Sequence, residues 1–320
     1  MAIHPRYHLL EICAGSGMLG VALKIALGEA LRTVAYIERD ARAAATLVVR
    51  MDDETLDRAP IWDDLQSADG SEFITFVQQF SPLIVAGGIP CQPHSQAGKR
   101  RGADDSRDLW SATRRFVRAL RPALVFIENV PGILASGGAL DILRDLEALG
   151  YRVAAPCLMS AEDVGASHRR ERVFILAELA NADTCGFATQ RRQVNPAPDR
   201  RRQSQPRGKR ACMADAKRAR LEVRPGESID ARTQRPPAER GCLDLDIFAP
   251  GPDDPDWPAI LDVRPDLAPA LPQSELRRMA YGVADRVDRL RLAGNGVVPL
   301  AAAYAFCALL DTLGGRSAGQ

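Results

Sequence analysis

The chain has 320 residues, 46% of them hydrophobic, and a formal net charge of +1. That length suits one large or two modest domains with a substantial core. No run approaches the about 20 apolar residues of a membrane span, Met1 to Tyr7 lacks a signal-peptide apolar region, and 7 cysteines without a Cys-x-x-Cys pair suggest neither a disulfide framework nor a zinc ribbon. The expectation is a cytoplasmic protein with free thiols, no membrane contact and no metal.

Residues 8–180 read as alternating strands and helices. His8 to Cys13 is a short apolar strand that ends in a glycine-rich turn, and Gly17 to Leu31 has helical spacing. Val34 to Glu38 is a second strand. Leu83 to Ala86 and Leu124 to Ile127 are buried-strand candidates, with a helix over Leu109 to Leu120 between them. Leu140 to Leu149 forms an amphipathic helix stopped by Gly150. Tyr151 to Pro156 and Val173 to Leu176 close the series. This order predicts an α/β domain, a mostly parallel sheet with helices on both faces.

The alternation fails near Ala180 and resumes near Ser274, where a Gly-Asn turn and an Ala-rich helix, Leu300 to Leu313, follow. The catalytic domain is therefore expected to be discontinuous: residues 1–180 completed by 276–320, with 181–275 inserted. Charge divides the insert. Gln190 to Arg240 carries 15 Lys/Arg against 6 Asp/Glu, whereas Gly241 to Glu275 carries 1 Arg against 8 acids. The basic block suits phosphate contacts in a nucleic-acid enzyme and equally suits a solvated, partly disordered linker.

Two local patterns carry chemistry. Ala14, Gly15, Ser16 and Gly17 lie between a strand and a helix, where a tight turn lets backbone approach a ligand. Glu38, at the end of the next strand, can accept hydrogen bonds from ribose hydroxyls. Gly15, Gly17 and Gly20 also complete a Gly-x-Gly-x-x-Gly spacing, so this half alone leaves an NAD-binding dehydrogenase open. The second pattern is Gly87-Gly88-Ile89-Pro90-Cys91-Gln92, a cysteine on a stiff turn at the carboxyl end of a strand. Alone, it could be a structural cysteine in a Gly/Pro loop.

Taken together, six stretches in order resemble the cytosine-5 DNA methyltransferases. They are Leu10-Glu11-Ile12-Cys13-Ala14-Gly15-Ser16-Gly17, Ile37-Glu38, Pro90-Cys91-Gln92 with Ser95, Phe126-Ile127-Glu128-Asn129-Val130, Arg169-Arg170-Glu171-Arg172-Val173-Phe174, and Arg291 to Pro299 around Gly294-Asn295. The resemblance implies a Rossmann-like class I methyltransferase fold with an inserted target recognition region. It implies S-adenosyl-L-methionine as cofactor and double-stranded DNA as partner, with a cognate restriction endonuclease as a further candidate and a monomeric state. In the family pattern Cys91 is the nucleophile, Glu128 meets the N3 and N4 edge of cytosine, Arg172 reaches O2 and Arg170 orients Glu128 or the catalytic loop. Asn129 would hold the loop that presents Glu128.

The cofactor would be met by the glycine loop, Glu38, Pro90, Asn295 and Val297. Asp64, or failing it Asp63, would meet the adenine amino group. The family's phenylalanine near the glycine loop is matched by Leu19, so apolar packing on adenine would replace stacking. His168 and His94 depart from the family's common Gln and Phe. Lys99, Arg100 and Arg101 in the Gln96 to Gly102 loop suit phosphate contacts. A tRNA cytosine-5 methyltransferase and a catalytically weak DNA-binding remnant are the rival readings.

Overall fold

The computed structural model describes residues 6–68, 71–89, 109–166, 168–180 and 296–314. Pro90, Cys91, His94, Asn295, the loop from Gln96 to Gly102 and the stretch 181–275 lie outside them.

Eight strands form one sheet. They are β1 (Tyr7–Ile12), β2 (Leu31–Ile37), β3 (Ile61–Trp62), β4 (Leu83–Gly88), β5 (Leu124–Asn129), β6 (Tyr151–Val153), β7 (Cys157–Ser160) and β8 (Glu171–Leu179). Their order is β3-β2-β1-β4-β5-β8-β6, with β7 also paired to β8. The pairings from β3 across to β5 are parallel, and β8 runs antiparallel to β5, β6 and β7. This is a Rossmann-like α/β sheet in which, among the described strands, β8 alone is reversed. After β1 the chain steps to β2 on one side and later to β4 on the other. That reversal opens a crevice at the carboxyl ends of β1 and β4, the usual ligand position in such sheets.

The strands read as apolar runs because both faces are covered. Side chains alternate between faces with a period of two. Leu9, Ile84, Ala86, Leu124, Phe126, Phe174 and Leu176 enter one core, and Leu10, Ile12, Val85, Val125, Ile127 and Ile175 enter the other. The first core is closed by α1 (Met18–Leu27) and by a C-terminal helix, here α7 (Pro299–Gly314). Phe126 stacks on Phe174 at 5.6 Å and meets Phe306 of that helix edge-on at 5.3 Å, so β5, β8 and the C-terminal helix form one packed unit. The second core is closed by α3 (Ser71–Val77), α4 (Leu109–Leu120) and α6 (Gly138–Ala148), beside the short α5 (Gly132–Ala135).

Differences from the sequence reading have local causes. The first helix stops at Leu27, because Gly28 takes a φ of +63° and a short 3-10 turn follows. The strand expected over Tyr151 to Pro156 is shorter, β6 ending at Val153, and β7 follows only after Pro156; a proline supplies no N–H to a ladder. A further helix, α2 (Ala41–Asp52), was not anticipated. Asp40 caps it, its side chain accepting the N–H groups of Arg42 at 3.0 Å and Ala43 at 3.1 Å. Leu47 and Met51 pack with Tyr36 and Ala14, which places α2 against the glycine loop.

Candidate active site

The first half of the site is the turn from β1 into α1. Cys13, Gly15 and Gly17 all have positive φ, +49°, +56° and +77°. Gly15 N–H donates to Glu38 Oε2 at 2.7 Å, and Asp40 N–H donates to Glu38 Oε1 at 2.7 Å. Glu38 therefore ties the glycine loop to the start of α2. A Cβ placed on Gly15 would meet nothing within 4 Å, so that residue faces open space and its need for glycine is conformational. Ala14 N–H bonds to the Ile37 carbonyl at 3.1 Å, and Glu38 N–H to the Trp62 carbonyl at 2.9 Å. The ends of β1, β2 and β3 are thus stitched into one rim.

Asp64 stands on that rim half-buried, while Asp63 is exposed. Asp64 Oδ1 accepts the Gln66 N–H at 3.0 Å, which opens a short turn. The Cys13 thiol lies between the acids. Burial first, then the charges of Glu38 and Asp64, push its pKa up to about 12. Cys13 is consequently a small apolar wall between two carboxylates and no nucleophile.

Leu19 departs from its expected place. Helical spacing puts it on the same stripe of α1 as Ala22, Leu23 and Ala26, and it is 5% exposed in the core under the sheet. Cys13 is a side chain on which the charges of Glu38 and Asp64 both act, whereas Leu19 lies in the core. A helix's phase cannot be read from the glycines before it, which is why the sequence pattern misled here. Ala14 is buried on Tyr36 and Leu47, and Ser16 is half-buried.

The second half lies at the ends of β4, β5 and β8. Register pairs Gly88 with Glu128, and Glu128 with Phe174. Arg172 is two residues before Phe174, so it shares a face of the sheet with Glu128. Its Nε comes within 2.6 Å of Glu128 Oε1. The contact is an ion pair, but the N–H does not point at Oε1 with hydrogen-bond geometry, and that oxygen is buried without a hydrogen bond. A Cβ on Gly88 would sit 3.0 Å from Glu128 Oε2, so the glycine leaves the carboxyl its room. Glu128 is 8% exposed. Burial raises its pKa, against the opposing pull of Arg172 and then Arg170.

Asn129 turns the other way. Its Nδ2 donates to the Ile89 carbonyl at 2.7 Å, a buried bond, and its Oδ1 accepts the Val130 N–H at 2.8 Å. Ile89 is the last described residue before Pro90 and Cys91. Arg170 reaches across to the carbonyl of Gly296, just ahead of α7. Val297 is half-buried against the core that α1 and α7 share. Arg172 contacts Glu128 directly, while Arg170 acts on Glu128 through its charge and ties β8 to the chain before α7. His168 is exposed. Among the described residues no cluster of His, Cys, Asp or Glu could hold a metal ion, and no helix is long and apolar enough to cross a membrane.

Three residues near the site escaped the sequence reading: Cys13 as the apolar wall, Arg50 of α2, and Glu11 beneath α1. Arg50 had no local signal, because it acts through the packing of α2 on the loop, and Glu11 none, because its surroundings come from the packing of α1 on β1.

Comparison with known proteins identifies the family. The model of the family described as C-5 cytosine-specific DNA methylase matches residues 7–222. The chain is 32% identical over 176 residues to the type II methyltransferase M.NaeI of Lentzea aerocolonigenes, covering 54% of this chain and 40% of that protein. It is 33% identical over 171 residues to M.NgoMIV of Neisseria gonorrhoeae, covering 52% of this chain and 50% of the relative. The chain therefore spans about half the length of these relatives. A solved putative DNA modification methyltransferase from an Escherichia coli prophage aligns with a TM-score of 0.46 at 22% identity, over 60% of this chain and 52% of that one. With the family's pattern running through more than half of its residues, the chain belongs to the C-5 cytosine-specific DNA methylases.

Proposed function

We propose that this protein is a DNA (cytosine-5-)-methyltransferase that uses Cys91, Glu128, Arg170 and Arg172. The observation that carries the reading is the Glu128–Arg172 pair at 2.6 Å on a buried strand end, beside a β4 terminus that Asn129 grips through Ile89.

Cytosine C6 is hidden within a duplex, so the target base must leave the stack. The Cys91 thiolate then adds to C6, forming the S–C6 bond. The electron pair displaced from the ring moves toward N3, where the Glu128 carboxyl delivers a proton or a strong hydrogen bond. A carboxyl raised in pKa by burial is more often protonated than a solvated one at the same pH, which is the physical basis for Glu128 as a donor in this role. C5 becomes nucleophilic and takes a methyl group as the methyl's bond to a sulfonium sulfur breaks, which leaves a neutral thioether. The C5 proton then passes to a base or water, the thiolate departs from C6, and the N3 proton returns to Glu128, restoring the aromatic ring. Arg172, close to Glu128, is suited to the cytosine O2.

S-adenosyl-L-methionine supplies the electrophilic methyl when bound. The rim of β1 to β3 fits such a ligand: an open face at Gly15, a carboxylate at Glu38 for ribose hydroxyls, the half-buried Asp64 for an exocyclic amino group, and the small Cys13 between them. Ala14, Ser16, Gly17, Pro90, Asn295 and Val297 complete the proposed contacts. Residues 181–275 would read the DNA. The designation of the relatives as type II methyltransferases supports a restriction–modification role, alongside a cognate endonuclease, in the cytoplasm, as a monomer.

Transfer of a tritiated methyl group from S-adenosyl-L-methionine to duplex DNA and to tRNA tests this reading. Label in DNA that disappears in Cys91→Ala, while DNA binding persists, is the expected result. Label in tRNA alone, or wild-type turnover in Cys91→Ala, would replace the reading.

A further inference from the structure

One side chain beneath the glycine loop takes no part in the chemistry above. Arg50, near the end of α2, directs Nη1 to the carbonyl of Ser16, and the same nitrogen lies 3.8 Å from the Met18 sulfur. The guanidinium is anchored at its root as well. Its Nε donates to Thr55 Oγ1 at 3.3 Å, and Thr55 bonds back to the Arg50 carbonyl through both N–H at 2.9 Å and Oγ1 at 3.0 Å.

The peptide plane between Ser16 and Gly17 is therefore tied at both ends. Its carbonyl goes to Arg50, and the Gly17 N–H goes to the Ala14 carbonyl at 2.8 Å. A flip of that plane would break both bonds. Gly17 has a φ of +77°, and a Cβ there would sit 2.7 Å from Leu56 Cδ1, so a side chain at this position would be both strained and crowded.

Below the loop lies Glu11 of β1, 1% exposed. Its carboxyl lies near the N–H groups of Leu19 and Gly20, in geometry short of a hydrogen bond, and a Cβ on Gly20 would come within 2.4 Å of Oε2. The charges of Glu11 and Arg50 act on each other, and Tyr36 and Glu38 complete the titratable groups that face this acid and base. A guanidinium held by both a loop carbonyl and the Thr55 hydroxyl is a stiff support.

We propose that Arg50 is a positioning residue for the cofactor loop: by holding the Ser16 carbonyl it presets the loop shape that receives S-adenosyl-L-methionine. The proposal rests on the reading of that loop as the cofactor site.

The test uses the full chain and S-adenosyl-L-methionine itself, titrated calorimetrically into wild type, Arg50→Gln, Arg50→Lys and Thr55→Val. Loss of a charged hydrogen bond that shapes the site should weaken binding about tenfold in Arg50→Gln. The cofactor KM should rise in step, with a much smaller fall in kcat. Arg50→Lys keeps one donor and should recover part of the affinity, and Thr55→Val, which only frees the root of the guanidinium, should show a smaller loss. Should Arg50→Gln fail to fold, the Lys and Val variants carry the comparison. Lower melting temperatures with wild-type affinity and KM would make Arg50 a support of the fold alone and overturn the proposal. A wild-type protein that binds no S-adenosyl-L-methionine would instead overturn the cofactor reading, and this proposal with it.

Discussion

Glu128 Oε1 and Arg172 Nε approach to 2.6 Å where β5 and β8 run antiparallel. The acid is pulled two ways: burial raises its pKa, and the guanidinium lowers it. As a proton donor to cytosine N3, Glu128 must be protonated, so turnover should fall as pH rises through its pKa. Arg172→Met removes the largest lowering influence and lets that pKa climb further. The expected outcome is a lower maximal rate with the alkaline limb of the kcat–pH profile moved to higher pH. A limb that stayed in place or moved to lower pH would mean that it does not report Glu128.

Asn129 makes the second prediction. Its Nδ2 satisfies the Ile89 carbonyl in a buried bond at 2.7 Å. Asn129→Asp keeps size and shape but faces a carboxylate oxygen to that carbonyl. An unsatisfied buried acceptor costs about 1–3 kcal/mol, and urea unfolding should show a loss of at least that size. Methyl transfer should fall further than stability, because the chain leading to Cys91 loses its anchor. Equal stability in the two proteins would show that the bond contributes nothing.

How far these relationships could be read in advance depended on where the information lay. Leu83–Gly88 and Leu124–Asn129 announce themselves because a strand covered on both faces must be apolar throughout. Glu128 stood out as an acid at the end of such a strand, and the order of the motifs placed it near the arginines. Which arginine it meets is a matter of register between β5 and β8, and register is a tertiary fact. The helix α2 escaped because its buried stripe is thin: Ala43, Leu47 and Met51, with Val48 and Val49 exposed at 48% and 57%. Apolar residues on the outer face blur the helical period. Leu19 was misplaced for a related reason, since the rotation of α1 is set by packing on α7 and not by the loop that precedes it.

Glu11 ties a buried acid to the pH dependence of stability. Burial pushes its pKa up to about 7 from an ordinary 4.5. A carboxyl raised in the folded state favours folding most when protonated in both states. That contribution is complete below about 4.5 and is lost as pH rises through about 7. The loss should be on the order of 3 kcal/mol across that window. Glu11→Gln cannot ionise and should be nearly flat over the same range, overtaking wild type above neutrality. Denaturant midpoints at acid and alkaline pH measure both. Parallel profiles for the two proteins would show that the charge of Glu11 is compensated in the fold.

Glu38 offers the sharpest separation of binding from chemistry. Its carboxylate accepts the Gly15 and Asp40 N–H groups at 2.7 Å each, and each oxygen has a second lone pair for ribose hydroxyls. Glu38→Ala removes the proposed ribose contact and loosens the loop together, and S-adenosyl-L-methionine should bind more weakly by about 1–3 kcal/mol. Glu38→Gln keeps one acceptor oxygen but presents an NH2 group to one of the two backbone donors. It should therefore lose affinity as well, since a donor facing a donor disrupts the rim that joins β1 to α2. Isothermal titration separates the possibilities. A dissociation constant unchanged in both variants would place the ribose elsewhere and leave Glu38 as a fastener between the glycine loop and α2. A loss in Glu38→Ala with none in Glu38→Gln would mean that one neutral acceptor suffices and that the negative charge is not what the ligand reads.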